Sequence, residues 1–197
     1  CTAERRIDDC LVAAGEAVRA VVLVEPVGER TIISTGGEAR LEPAQLEVER
    51  ILARSGWLHL DGYSLDPISG DALVELARAA HEHGIAISLE PSSVPTIVQR
   101  AQWFEQLPPL ACLLGRPDEI ETITPLLRYE PECVIAHDQG RPVLIREGSS
   151  QTWIDVRPEA PAALGAGDRF AGGVLAARLG GADWPAAVSR GIEAAHG

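Results

Sequence analysis

The sequence predicts an α/β fold of three layers, a mostly parallel sheet with helices on both faces. Three observations point there. From Trp57 onward, short apolar strand-like runs alternate with amphipathic helical stretches, the pattern of a parallel sheet covered by helices. The intervening loops are short, and Pro/Gly clusters fall between elements, as in a compact domain. Near the C-terminus, Gly165-Ala166-Gly167-Asp168 opens an apolar helical run; in such folds ligands bind beyond the C-terminal ends of the strands.

Taken in order, Glu4 to Ala14 carries Ile7, Cys10 or Leu11, and Ala14 at helical spacing and stops at Gly15, so a short helix is expected. Val18–Val24 and Thr31–Ser34 are rich in β-branched residues and flank a Pro/Gly turn, which predicts a hairpin. Its apolar runs are too continuous to say which face is buried. Pro43 to Arg54 reads as a helix with Leu46, Val48, Ile51 and Leu52 inward. Strands follow at 57–60, 85–89, 110–114 and 133–136, with helices between them from Ser69 or Asp71 to about His83, over 94–107 and over 117–127. A β-meander (143–145, 152–154) precedes two closing helices, about 169–179 and 184–195. No internal repeat breaks the chain, which reads as a single domain over residues 1–197.

Composition narrows the function classes. With 46% apolar and 23% charged residues, the chain has the balance of a soluble globular domain. No apolar run approaches the roughly 18 residues of a membrane span, and no signal-peptide pattern is present, so the cytoplasm is the expected location. A net charge of −12 argues against a nucleic-acid partner. Any phosphate site must therefore be built locally, from helix N-termini and selected arginines. All 17 basic residues are Arg, which excludes a Walker A loop and a Schiff-base lysine. The chain also lacks Asn and Met and begins at Cys1, so a fragment of a longer protein is expected. Of the four cysteines, Cys112 and Cys133 sit in apolar runs and no C-x-x-C spacing occurs, so buried, reduced thiols are expected.

The chemistry concentrates at 165–173. Glycines before a helix start let the backbone approach an anion, and the first unpaired N–H groups and the helix dipole then face it. An Asp placed there either caps the helix or sits beside the anion as a base. A second glycine pair, Gly172-Gly173, follows one helical turn later. The stretch Gly165-Ala166-Gly167-Asp168-Arg169-Phe170-Ala171-Gly172-Gly173 resembles the second signature of the PfkB (ribokinase-like) carbohydrate kinases, D-T-x-G-A-G-D-x-F-x-G-G. Glu29-Arg30-Thr31-Ile32 is similar to the family's G-E-R-T lid segment. Leu58-His59-Leu60-Asp61-Gly62-Tyr63-Ser64-Leu65 is similar to its strand and loop at the sheet's centre. Arg116-Pro117-Asp118-Glu119 falls where the family has N-x-x-E, and Val134 to Gly140 falls where a strand leads into the nucleotide loop. The order matches from end to end.

The resemblance implies a three-layer Rossmann-like (ribokinase-like) fold with residues 18–35 as part of a β lid. It also implies ATP- and Mg²⁺-dependent phosphorylation of a hydroxymethyl group on a small sugar. Asp168 would be the base, and the backbone N–H groups of Gly165, Ala166 and Gly167 would form the anion hole. Arg116, His137 and Gly140 would lie near the nucleotide, and Glu119 would help hold Mg²⁺, through water. The lid hairpin would offer a surface for a homodimer. On the residues alone, Glu119 also has the reading of a first-turn carboxylate favoured by the helix dipole, and His137 that of a loop contact.

The sequence also departs from the family pattern. Ala162-Ala163-Leu164 replaces Asp-Thr-x, and Arg116 replaces the Asn of N-x-x-E; a guanidinium cannot accept hydrogen bonds from metal-bound water. The family's G-G-x-x-x-N sugar-binding segment is not among the 197 residues, so little or no activity is expected of this stretch alone. These departures motivate a second reading: a non-catalytic member of the same fold that binds a sugar or nucleotide. Other motifs fail. Gly62 to Asp66 lacks the second glycine of a nucleophile elbow, and His81 and His83 at i, i+2 do not face one another on a helix.

Overall fold

The computed structural model describes residues 19–24, 30–35, 48–65, 70–138, 140–156 and 165–196. The expected helix over 4–14, Cys1, Cys10 and the start of the helix expected from Pro43 lie outside them. Strands β1 (Arg19–Val24) and β2 (Arg30–Thr35) pair antiparallel, from Arg19 opposite Thr35 to Val24 opposite Arg30. They form the expected hairpin as a small sheet of their own. The described part of the next helix is α1 (Val48–Leu52).

The main sheet has six strands in sequence order: β3 (Trp57–Asp61), β4 (Ala86–Glu90), β5 (Cys112–Gly115), β6 (Val134–Ala136), β7 (Val143–Glu147) and β8 (Ser150–Ile154). The first four run parallel; β7 and β8 return antiparallel as a meander. The crossovers carry α2 (Gly70–Glu82), α3 (Val94–Gln99), α4 (Ala101–Phe104) and α5 (Pro117–Ile123). Each parallel strand steps to its next neighbour in one direction, so right-handed crossovers put all four helices on one face. The alternation of β5 shows both faces filled. Leu113 packs with Leu60, Ile87 and Leu89 in that helical layer. Cys112 and Leu114 pack instead with Ile135, Val143 and Ile145, under α6 (Ala166–Leu179) and α7 (Trp184–His196). Cys112 and Cys133 are free and buried, as expected.

Several boundaries differ for identifiable reasons. The stretch 94–107, expected as one helix, is two short ones broken at Arg100, which leaves helical geometry (φ −114°, ψ 13°). Its guanidinium donates to the carbonyls of Gly62 and Tyr63, both at 2.7 Å, and so ties this corner to the loop after β3. The helix from Pro117 ends at Ile123 and tightens into a 3₁₀ turn over Thr124–Leu126. Pro125 has no N–H for the ladder, and the Thr124 hydroxyl donates back to the Ile120 carbonyl. The resemblance puts 58–65 at the sheet's centre, whereas among the described residues β3 is an edge strand. The helix expected from Arg169 begins three residues earlier, at Ala166.

Helices α6 and α7 approach closely, and glycine permits it. A Cβ on Gly191 would stand 2.6 Å from Val174 Cγ2 and 2.8 Å from the Phe170 carbonyl oxygen. A Cβ on Gly173 would stand 2.9 Å from Gly191 Cα. Gly172, its neighbour, has nothing within 4 Å of such an atom. The two glycines of the pair therefore do different work, one in packing and one beside the cleft described below. Gly191→Ala is expected to destabilise the fold by roughly 1–3 kcal/mol through overpacking. Gly172→Ala is expected to stabilise it by roughly 0.5–1 kcal/mol through helix propensity. Urea unfolding of the two variants checks both signs.

Candidate active site

The four parallel strands end on the same side of the sheet, and their last residues meet the N-termini of α5 and α6 around a cleft of about 440 Å³. Asp61 closes β3, Glu90 closes β4, Arg116 follows β5 and His137 follows β6. All four line the cleft, with Glu119 from α5 and Asp168 from α6. Strand direction thus gathers residues far apart in sequence at one crevice, where open α/β sheets bind ligands.

Asp168 is the third residue of α6. Gly165, the N-cap, takes the left-handed conformation (φ 80°, ψ 9°) that glycine adopts without strain. The first ladder bond is Arg169 N–H to the Gly165 carbonyl at 2.9 Å. The N–H groups of Ala166, Gly167 and Asp168 precede it and have no partner in the helical ladder. Of the anion-hole residues expected in a loop, Ala166 and Gly167 thus belong to the first helical turn and Gly165 is its N-cap. Phe170, one turn on, is buried against His137, with ring centroids 4.7 Å apart. Burial holds the His137 imidazole down at about 4, only partly opposed by Asp138, so the ring is neutral near pH 7.

Glu119 occupies the third position of α5, where its Oε2 accepts the Arg116 backbone N–H at 2.9 Å. This is half of a capping box. Burial raises its carboxyl above the usual range, opposed by the Arg116 N–H and guanidinium. The Arg116 side chain pairs with Asp118 at 2.8 Å and stays largely exposed. Among the described residues no group of three His, Cys, Asp or Glu could hold a metal ion.

The β3–β4 side of the cleft holds residues that motif reading does not single out. His59 Nδ1 lies 2.8 Å from Ser88 Oγ, which also accepts the Trp57 indole N–H at 2.9 Å. His59 Nε2 lies 4.0 Å from Glu90 Oε2. Burial raises the Glu90 carboxyl to about 7, and the neighbouring Asp61, Asp168 and Glu119 carboxylates add to the rise. Burial lowers His59, against the opposing pull of Asp61 and Asp168. The loops carrying these residues are locked together: Gly62 N–H donates to the Glu90 carbonyl at 2.7 Å. A Cβ on Gly62 would stand 2.2 Å from the Pro91 oxygen.

A family profile, pfkB family carbohydrate kinase, matches residues 7–196. The chain belongs to this family. Solved structures agree on the fold. Adenosine kinase from Anopheles gambiae superposes with a TM-score of 0.80 at 21% identity, over 94% of this chain and 63% of that one. Adenosine kinase from Sinorhizobium meliloti gives 0.81 at 19%, over 94% and 62%. A probable sugar kinase from Rhizobium etli CFN 42 gives 0.78 at 20%, over 90% and 58%. The chain thus spans about three-fifths of the length of these neighbours. A comparison with curated protein sequences finds no match.

Set out on this pfkB-family fold, Arg116, Glu119, His137 and Asp168 share the cleft, and Gly165, Ala166 and Gly167 lie at the helix start that borders it. Gly140 does not line the cleft; it sits in the β6–β7 turn with φ 71°. His59, Asp61, Glu90 and Ser92 are the residues that sequence reading missed. The signal was available: parallel strands are usually apolar on both faces, yet Trp57-Leu58-His59-Leu60-Asp61 and Ser88-Leu89-Glu90 alternate.

Glu90 sets a pH dependence. Its folded-state value, about 7, lies above the ordinary 4.5. Between those values the folded state holds a proton that the unfolded state has released, so stability falls as pH rises through that window. Glu90→Gln removes this loss. The variant is expected to be more stable than wild type at pH 8 by roughly 1–3 kcal/mol, with the gain fading towards pH 4. Urea midpoints across pH 4–8 check it.

Proposed function

We propose that the whole protein is an ATP-dependent kinase that phosphorylates a hydroxymethyl group of a small carbohydrate. The observation that carries the reading is the position of Asp168, in the first turn of α6 beside N–H groups outside the helical ladder and on the cleft formed at the ends of four parallel strands. In this reading the Asp168 carboxylate takes the proton of the acceptor hydroxyl, whose oxygen forms the new bond to the γ-phosphorus as the bond to ADP breaks. The N–H groups of Gly165, Ala166 and Gly167 offset charge on the transferred phosphoryl oxygens. His137 and Arg116 lie on the β5–β6 side, where the nucleotide would bind, with the Gly140 turn beyond them. The β1–β2 hairpin would serve as part of a lid and as a surface for a second copy of the chain, in a cytoplasmic enzyme.

A divalent cation would neutralise the phosphates. The residues present fit Mg²⁺ held mainly by water and phosphate, with one carboxylate at its outer shell, since Mg²⁺ keeps several waters. Glu119 would take that role, through the oxygen left over from capping.

A second reading, a member that binds sugar or nucleotide without turnover, draws on Arg116. Its guanidinium is committed to Asp118 and stands where the family has Asn.

Asp168→Asn in the whole protein separates the readings. Loss of a general base is expected to cut sugar-dependent ADP release by about 10²–10⁴-fold while ATP binding, measured by calorimetry, persists. Undiminished release would remove Asp168 from the mechanism. ATP binding with no turnover in the wild type would favour the second reading.

A further inference from the structure

A polar line runs up one face of the sheet towards the cleft, and its protons can be counted. Trp57 and His59 project from the same face of β3, and Ser88 stands opposite His59 on β4. Ser88 is fully buried. Its Oγ accepts the Trp57 indole N–H at 2.9 Å and lies 2.8 Å from His59 Nδ1. The indole is held from the α7 side, packing edge-on against Trp184 with ring centroids 6.3 Å apart.

An indole N–H can only donate. The Ser88 hydroxyl proton therefore cannot point back along that bond, and its other partner among the described residues is His59 Nδ1. If Nδ1 carried the proton instead, Ser88 would accept twice. Its own O–H would then have no partner in a fully buried place, which is unfavourable. The satisfied order runs from Trp57 to Ser88 to His59, with Nδ1 bare. Burial also lowers the imidazole from its ordinary 6.5, so at pH 8 the ring is neutral and its single proton sits on Nε2. That nitrogen lies 4.0 Å from Glu90 Oε2, and both residues line the cleft.

We propose that Ser88, held by Trp57, is a positioning residue that fixes the tautomer of His59 and so presents the cleft with an N–H donor and no basic nitrogen. The tautomer stands on the hydrogen bonds alone. Its consequence for the chemistry rests on the kinase reading. An imidazole with a bare nitrogen in the cleft would rival Asp168 for the acceptor proton. The buried serine removes that rival, and of the two residues Asp168 is left as the base.

Imidazole nitrogen NMR spectra of the whole protein at pH 8, assigned by the signals lost in His59→Gln, read the tautomer directly. Nδ1 is expected as the bare nitrogen and Nε2 as the protonated one, with this form favoured at least about tenfold. Ser88→Ala removes the hydroxyl and should lower that ratio at least about threefold. Ser88→Thr keeps the hydroxyl and should preserve it. Thermal melting shows whether each variant is folded, and the wild-type spectrum decides even where one is not. A wild type protonated mainly on Nδ1, or an unchanged ratio in folded Ser88→Ala, overturns the proposal. The reaction is read as ADP release with ribose, fructose and adenosine as acceptor probes. His59→Gln keeps an N–H donor without a basic nitrogen, so its release should fall by less than about tenfold, against the roughly 10²–10⁴-fold of a lost base. A fall of about 10²-fold or more makes His59 a base and overturns the proposal. No ADP release from the wild type counts against the kinase reading and leaves the tautomer to the spectra.

Discussion

The site depends on how closely α6 can lie against α7. Asp168 is useful only if the first turn of α6 is held over the ends of β3 to β6, and no hydrogen bond from its own side chain is recorded among the described residues. What holds it is packing further along the helix. Gly173 and Gly191 let the two backbones approach, and Phe170 and Val174 fill the layer between α6 and the sheet. Phe170 reaches His137 at the end of β6, so the same turn that carries Asp168 is keyed to a strand end. Two adjacent glycines inside a helix each cost up to about 1 kcal/mol relative to Ala. The helix tolerates that because Gly173 permits the crossing and Gly172 leaves room beside the cleft.

The second constraint is charge. A chain at −12 places four carboxylates around one cleft, and burial works against the ionisation of two of them. Glu90 and Glu119 are both raised, and both cleft histidines are lowered. Positive potential comes from Arg116 and from helix starts: the N–H groups of α6 outside the ladder and the first turn of α5. A phosphate group entering here would therefore face one end of the cleft, near α6, and be unwelcome at the other. The polarity of the cleft follows from which elements present their N-termini to it.

How much of this the sequence discloses depends on the range of the interaction responsible. The alternation of strands and helices is written in local periodicity, and Cys112, Leu113 and Leu114 are an unbroken apolar run because β5 is covered on both faces. The break at Arg100 was not legible, because its cause is a guanidinium reaching carbonyls 37 and 38 residues away. The same holds for Glu90 and for His59, which sequence reading quotes only within the segment 58–65 and which β3–β4 pairing brings together. The start of α6 was misplaced for a different reason. Gly165 and Gly167 both read as loop residues, and only the left-handed Gly165 is outside the helix.

Glu119 shows that a structural and a chemical reading of one residue need not compete. Its Oε2 accepts the Arg116 N–H and so starts α5, which is the bland reading of an acidic residue in a first turn. A carboxylate has about four acceptor sites over two oxygens, so capping occupies a fraction of its capacity. Glu119 also lines the cleft. In the proposed reading, the capped carboxylate would meet the cation through water. An Asn at position 116 would leave that backbone bond in place, since the donor is the main-chain N–H. What Arg116 changes is the charge of the neighbouring side chain, and Asp118 takes up that charge at 2.8 Å, so the altered motif keeps its geometry.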